Sequence, residues 1–168
     1  MKTLILISIL FLINISYSQT YTHDSLTQKD KIYLLKSTQK PFTGKAFSYN
    51  NKGLVNLETN YVNGLVDGKE VFYFPNGDIE TESNYKEGKY NGLMTTWYQK
   101  NIKKSEETYV NDFKNGKSTY WFPNGNKEKE GNYSNCIELG VWTFWDEDGK
   151  KIAEKTYKNG EMVSEQAF

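Results

Sequence analysis

Beyond residue 20, large and polar side chains alternate in short runs, and turn residues interrupt the runs at roughly 8–12-residue intervals. Gly68-Lys69-Glu70-Val71-Phe72-Tyr73-Phe74 is a β-rich stretch that Pro75-Asn76-Gly77 stops. Proline ends a paired strand because it has no N–H to donate, and Asn-Gly accepts the positive φ of a hairpin turn. Residues 78–85 return as a second strand ending at Tyr85, and Glu87-Gly88 through Asn91-Gly92 are expected to turn the chain into the next run. Trp121-Phe122-Pro123-Asn124-Gly125 repeats the script, as does Trp145-Asp146-Glu147-Asp148-Gly149. After residue 20 there is no helical period.

The runs recur with a fixed period. Tyr61, Tyr85, Tyr109, Tyr133 and Tyr157 are 24 residues apart. Seven residues after the first four stand Gly68, Gly92, Gly116 and Gly140, with Gly44 one unit earlier. Twelve after stand Tyr73, Trp97, Trp121 and Trp145, preceded by Tyr49. Sixteen after stand Gly77, Asn101, Gly125 and Gly149, with Gly53 one unit earlier, and three after stand Gly64, Gly88, Asp112, Cys136 and Gly160. Of 13 glycines only Gly131 falls outside these slots. Such a register marks a repeat architecture of stacked β-hairpins.

Side-chain alternation selects the kind of sheet. Val71 and Tyr73 point to one face of a first strand, Phe72 and Phe74 to the other. The return strand is expected to carry Asp78, Glu80, Glu82 and Asn84 on one face and Ile79, Thr81, Ser83 and Tyr85 on the other. No thick apolar layer can be assembled from such strands. The expectation is all-β: an elongated single-layer antiparallel β-meander of about five 24-residue β-hairpin repeats. A meander curled into a closed barrel is the rival. The units fall near 37–60, 61–84, 85–108, 109–132 and 133–156, with a partial unit at 157–168, inside a repeat domain spanning 31–168. Tyr73, Trp97, Trp121 and Trp145 are expected to stack as a ladder along one face, with Phe72, Tyr120 and Phe144 on the other.

Residues 1–18 read differently. Lys2 precedes an apolar run from Leu4 to Ile15, and Ser16-Tyr17-Ser18 supplies small residues before a cut at Gln19. The run is short for a membrane span. A cleavable signal peptide and a periplasmic or secreted destination follow, with residues 19–30 expected to be a flexible lead-in.

Composition narrows the chemistry. Aromatics make up 15% of the chain while mean hydropathy is −0.75, so rings must supply much of the buried area. The 21 basic residues are all lysine and balance 21 acidic ones, which argues against nucleic-acid binding. His23, the single histidine, is expected to be solvated in the lead-in, and Cys136 stands alone at a turn, so no Ser-His-Asp or Cys-His arrangement suggests itself. The carboxylates alternate with lysines, as on a solvated face. No catalytic residue, cofactor or metal site is expected.

The unit Tyr-x-x-Gly-x-x-x-Gly, an aromatic pair and Pro-Asn-Gly resembles the MORN repeat variant of bacterial proteins grouped as YwqK-type antitoxin-like. Lys31-Ile32-Tyr33-Leu34-Leu35 with Lys40-Pro41-Phe42-Thr43-Gly44 resembles the way such arrays begin, and the likeness covers about residues 31–163. The resemblance implies a non-enzymatic scaffold that binds another protein, with toxin neutralisation as the family's label. The alternative is an envelope module that binds glycan or lipid head groups through Tyr73, Trp97, Trp121 and Trp145.

Overall fold

The computed structural model describes residues 20–168. The expected signal peptide, residues 1–18, lies outside the described residues. Four short strands come first: β1 (Tyr21–Thr22), β2 (Leu26–Lys29), β3 (Ile32–Leu35) and β4 (Lys40–Pro41). Five hairpins follow. They are β5 (Gly44–Tyr49) with β6 (Val55–Val62), β7 (Leu65–Tyr73) with β8 (Ile79–Lys86), and β9 (Lys89–Trp97) with β10 (Lys103–Val110). The last two are β11 (Phe113–Trp121) with β12 (Lys127–Ser134), and β13 (Ile137–Trp145) with β14 (Lys151–Lys158); β15 (Glu161–Ala167) ends the series.

One sheet of 12 strands runs β1-β5-β6 and onward in chain order to β15. From β5 on, every pairing is antiparallel, whereas β1 lies parallel to β5. The all-β single-layer meander is therefore observed. It is open, because β15 sits at the opposite end of the order from β1 and β5, which rules out the barrel. Hairpin boundaries fall at the two-residue turns, four residues after the tyrosine-based boundaries. A period fixes spacing but leaves phase free.

Two kinds of turn alternate. Asn63-Gly64 has positive φ at both residues (50° and 80°), the geometry that matches the twist of flanking strands. Asp112 (φ 74°) and Cys136 (φ 66°) keep that left-handed backbone without glycine. Each links back to the preceding long strand: the Tyr90 N–H donates to the Asp112 carboxylate (2.8 Å), and the Lys114 N–H to Cys136 Sγ (3.2 Å). The Pro75-Asn76-Gly77 turn is closed by the Gly77 N–H on the Phe74 carbonyl (2.9 Å).

The slot of Gly68, Gly92 and Gly116 is not a turn, as the sequence suggested, but a bulge inside a long strand. Gly116 has φ +114°, which side chains resist. The bulge frees a carbonyl on the next residue, and the return strand caps it. Asn60 Nδ2 donates to Lys69 O (2.6 Å), Asn84 Nδ2 to Leu93 O (2.7 Å) and Thr108 Oγ1 to Lys117 O (3.3 Å). These caps are themselves 24 residues apart.

Two faces result from the alternation. Face A carries Val71 and Tyr73; face B carries Phe72 and the period tyrosines. A second bulge, between Phe72 and Tyr73, brings Ile79 opposite Tyr73, so Ile79 joins Glu82 on face A rather than opposing it. Face B holds most of the core, although Val71 is buried on face A. A cross-strand row of small residues is buried there, Ala46, Thr59, Ser83 and Ser118, and it reaches Trp142, which is wholly buried. Ring contacts join Tyr85 to Tyr90 (4.5 Å between centroids), Tyr90 to Tyr109 (5.5 Å) and Tyr133 to Trp142 (5.0 Å).

The stretch from Thr20 to Asp30, expected to be flexible, is packed instead. β2, β3 and β4 form a three-stranded sheet of their own. Leu26 and Phe42 are buried against Ala46 and Tyr61, with Tyr21, Tyr33 and Leu35 around them. Burying side chains of this size stabilises by about 2–3 kcal/mol each. His23 is held too, with Nδ1 3.0 Å from Ser48 Oγ and the ring edge-on to Tyr61. Without this segment the first tyrosine of the array would face water.

Candidate functional site

Each expected ring is the last residue of its long strand. Tyr73, Trp97, Trp121 and Trp145 all lie on face A, half-buried, and Tyr49 is 48% exposed in the same slot. The structure thus gathers the predicted set into one row. It does not stack them: among the described residues no ring–ring contact joins two members. Successive rings sit two strands apart, about 10 Å, and from Trp97 on the strand between supplies a lysine, whereas Ile79 stands opposite Tyr73. Lys103 pairs across from Trp97 and lies over Trp121, its Nζ 5.8 Å from the ring centroid. Lys127 pairs across from Trp121 and lies 5.3 Å from the Trp145 centroid. Ring and ammonium alternate, held by cation–π attraction.

Beside this row runs another that the sequence reading missed. Glu58, Glu82, Glu106, Glu130 and Glu154 cross face A with Val71, Thr95, Thr119 and Thr143 between them. The signal was available, since a glutamate stands three residues before every period tyrosine. Lysines serve these carboxylates: Lys45–Glu58 (2.5 Å), Lys69–Glu82 (2.8 Å), Lys103–Glu106 (2.5 Å), Lys127–Glu130 (2.7 Å) and Lys151–Glu154 (2.6 Å). Such solvated pairs add little stability; their effect is to fix charges in register. The hydrogen bond from Lys127 holds Glu130 below the usual carboxylate range, with Lys117 helping against partial burial. Burial, and then the charge of Glu58, push the Tyr73 phenol upward.

Shallow depressions repeat over the return strands of face A. One is lined by Lys45, Glu58, Asn60 and Lys69, one by Leu93, Glu106, Thr108 and Thr119, and one by Glu130, Asn132, Val141 and Thr143.

The margin of face A away from the rings is apolar. Val110, Phe113, Ile137, Leu139 and Val141 are all exposed, Phe113 by 53% and Val141 by 51%. Val110 pairs with Phe113 across β10 and β11, and Ile137, Leu139 and Val141 follow along β13, with Asn132 and Ser134 of β12 between the two groups. Strict alternation at 137, 139 and 141 is the sequence signal for it.

Face B is occupied by its own side chains. Glu107, 7% exposed, accepts short hydrogen bonds from Lys114 and the Tyr120 hydroxyl. Burial lowers the Lys114 pKa, but the bond to Glu107 and its charge outweigh that and raise it. Phe72 and Phe144 lie on this face as expected, Phe144 under Lys155. Among the described residues no group of three or more His, Cys, Asp and Glu side chains is placed to hold a metal.

Compared with known families, the chain matches the MORN repeat variant at residues 66–87, 114–135 and 138–159. Three of its hairpins are similar to that repeat. The matched segments start one residue into β7, β11 and β13 and end in the turns after β8, β12 and β14, so the MORN-variant unit coincides with a hairpin. The β9–β10 hairpin lies outside the matches. There Gln99-Lys100-Asn101 replaces the Pro-Asn-Gly turn, with positive φ at Lys100 and Asn101, yet strand lengths and register are kept. No curated protein matches the chain.

Proposed function

We propose that the protein is an exported, non-catalytic repeat scaffold that docks another protein on face A. The observation that carries this reading is the exposed apolar margin formed by Val110, Phe113, Ile137, Leu139 and Val141. An exposed patch of this kind is a usual mark of a protein contact, and a rigid open sheet offers a broad surface with little ordering cost. Export rests on the Lys2, Leu4–Ile15 and Ser16-Tyr17-Ser18 pattern. Neutralisation of the partner, which the resemblance to YwqK-type antitoxin-like proteins implies, is one use of such docking.

The test is a cross-linked pull-down of the tagged protein from envelope and secreted fractions, run beside a Phe113→Glu/Leu139→Glu variant of unchanged circular dichroism. One protein enriched by the wild type and lost from the variant is the expected result. Equal recovery by both would remove the margin from consideration.

A further inference from the structure

The ring side of face A carries information that an apolar margin does not. From Tyr73 to Trp145 the same slots recur: a ring ending each long strand, a glutamate and, between Glu82 and Glu154, Thr95, Thr119 or Thr143. From Trp97 on, a lysine joins them at each step, Lys103, Lys127 and Lys151, each opposite a ring. Each slot is displaced by two strand spacings, about 10 Å. A surface that repeats its chemistry at constant pitch fits best a ligand that repeats at the same pitch, because every added unit then binds at high effective concentration.

The chemistry narrows the ligand. Rings stack on the apolar faces of pyranose sugars, while fixed carboxylates and ammoniums bond sugar hydroxyls. The glutamate row opposes a polyphosphate backbone, which excludes nucleic acid. The charges recurring at every step oppose insertion into a lipid surface. An extended β-1,4-linked glycan has a disaccharide repeat of the same length as one hairpin. An α-1,4-linked glucan coils and does not.

We propose that Tyr73, Trp97, Trp121 and Trp145, with Glu82, Glu106, Glu130, Lys103 and Lys127, form a row of subsites for a β-1,4-linked glycan lying across the strands. The four rings span three hairpin steps, about 30 Å, so three disaccharides fill the row. The proposal goes beyond the docking reading and uses different residues from the apolar margin.

The probes are chito- and cello-oligosaccharides of two, four and six sugars and maltohexaose, titrated into the whole chain with tryptophan fluorescence and calorimetry. Affinity is expected to rise with each added disaccharide, with maltohexaose silent. The acetylated and plain series distinguish an amino-sugar polymer from a glucose polymer; binding of either supports the proposal. Trp121→Ala should weaken the six-sugar ligand by about tenfold, and Phe113→Glu/Leu139→Glu should leave it unchanged, which separates this claim from protein docking. Saturation-transfer NMR on the wild-type chain supplies the contact map if Trp121→Ala does not fold. No binding, binding independent of length, or equal binding of maltohexaose overturns the proposal.

Discussion

The Trp142 ring lies directly on Gly131: a Cβ added to Gly131 would stand 2.2 Å from the indole. This explains the one glycine that the repeat pattern left over. Gly131 has no positive φ to accommodate, so its role is space alone. In the same slot of other units stand Thr59, Ser83 and Glu107, none of which faces a tryptophan in the Trp142 slot. Trp142 fills the room a side chain would have taken, and its Nε1 donates to Asn132 O (3.3 Å).

Gly131→Ala is therefore expected to destabilise the fold by roughly 1–3 kcal/mol. Adding Trp142→Leu should cost less than the two single changes summed, because both act on one contact. Urea unfolding of the four chains measures this. Additive losses would show that the two residues do not interact.

Gly116→Val should damage the protein far more than Lys117→Val. Gly116 holds φ +114°, which strains a β-branched side chain, and a Cβ there would already touch Thr108 at 3.4 Å, whereas Lys117 only reaches Glu130 in solvent (3.3 Å). The expected losses are about 1–3 kcal/mol against under about 0.5 kcal/mol. Equal melting temperatures would contradict the bulge geometry.

Alkaline pH should unfold the array. Burial first, then Tyr33 and Glu70 for Tyr61, hydrogen bonding with Tyr90 for Tyr85, and the bond to Glu107 for Tyr120, hold these phenols above their ordinary pKa. The folded chain then keeps protons the unfolded chain releases. Stability is full below about pH 10 and falls as pH rises beyond it. Tyrosinate absorbance should show one early, exposed group of tyrosines and one group that ionises only as circular dichroism is lost. Smooth ionisation of all tyrosines before unfolding would contradict this.

Phe42→Ala should loosen the lead-in and β5–β6 while sparing the C-terminal hairpins, since each unit of such an array leans mainly on its neighbours. Phe42 is 3% exposed, and the Gly64 N–H donates to its carbonyl (2.7 Å). Hydrogen exchange should quicken around Tyr33 and Tyr61 and stay slow around Trp142. A uniform change along the chain would mean that the array opens as one unit.

Much of this structure is legible in the chain because one period writes the same constraints five times. The spacing of Tyr61 to Tyr157 and of Gly68 to Gly140 gives the hairpins, their number and the row of Tyr73, Trp97, Trp121 and Trp145. Three features were hidden for physical reasons. The bulge at the Gly68 slot looks like a turn, since both need positive φ. The packed lead-in depends on Phe42 meeting Tyr61, a contact outside the repeat. The rings fail to stack because strand spacing, not sequence spacing, sets their separation, and Lys103 and Lys127 fill the interval.

The most direct test of face A as the working surface is site-specific photo-crosslinking. The photoreactive residue p-benzoylphenylalanine replaces Val141 on face A in one chain and Phe72 on face B in another, positions of similar exposure at 51% and 40%. A discrete protein adduct from position 141 and none from position 72 is the predicted result. An adduct from position 72 alone would place the partner on face B and contradict the account.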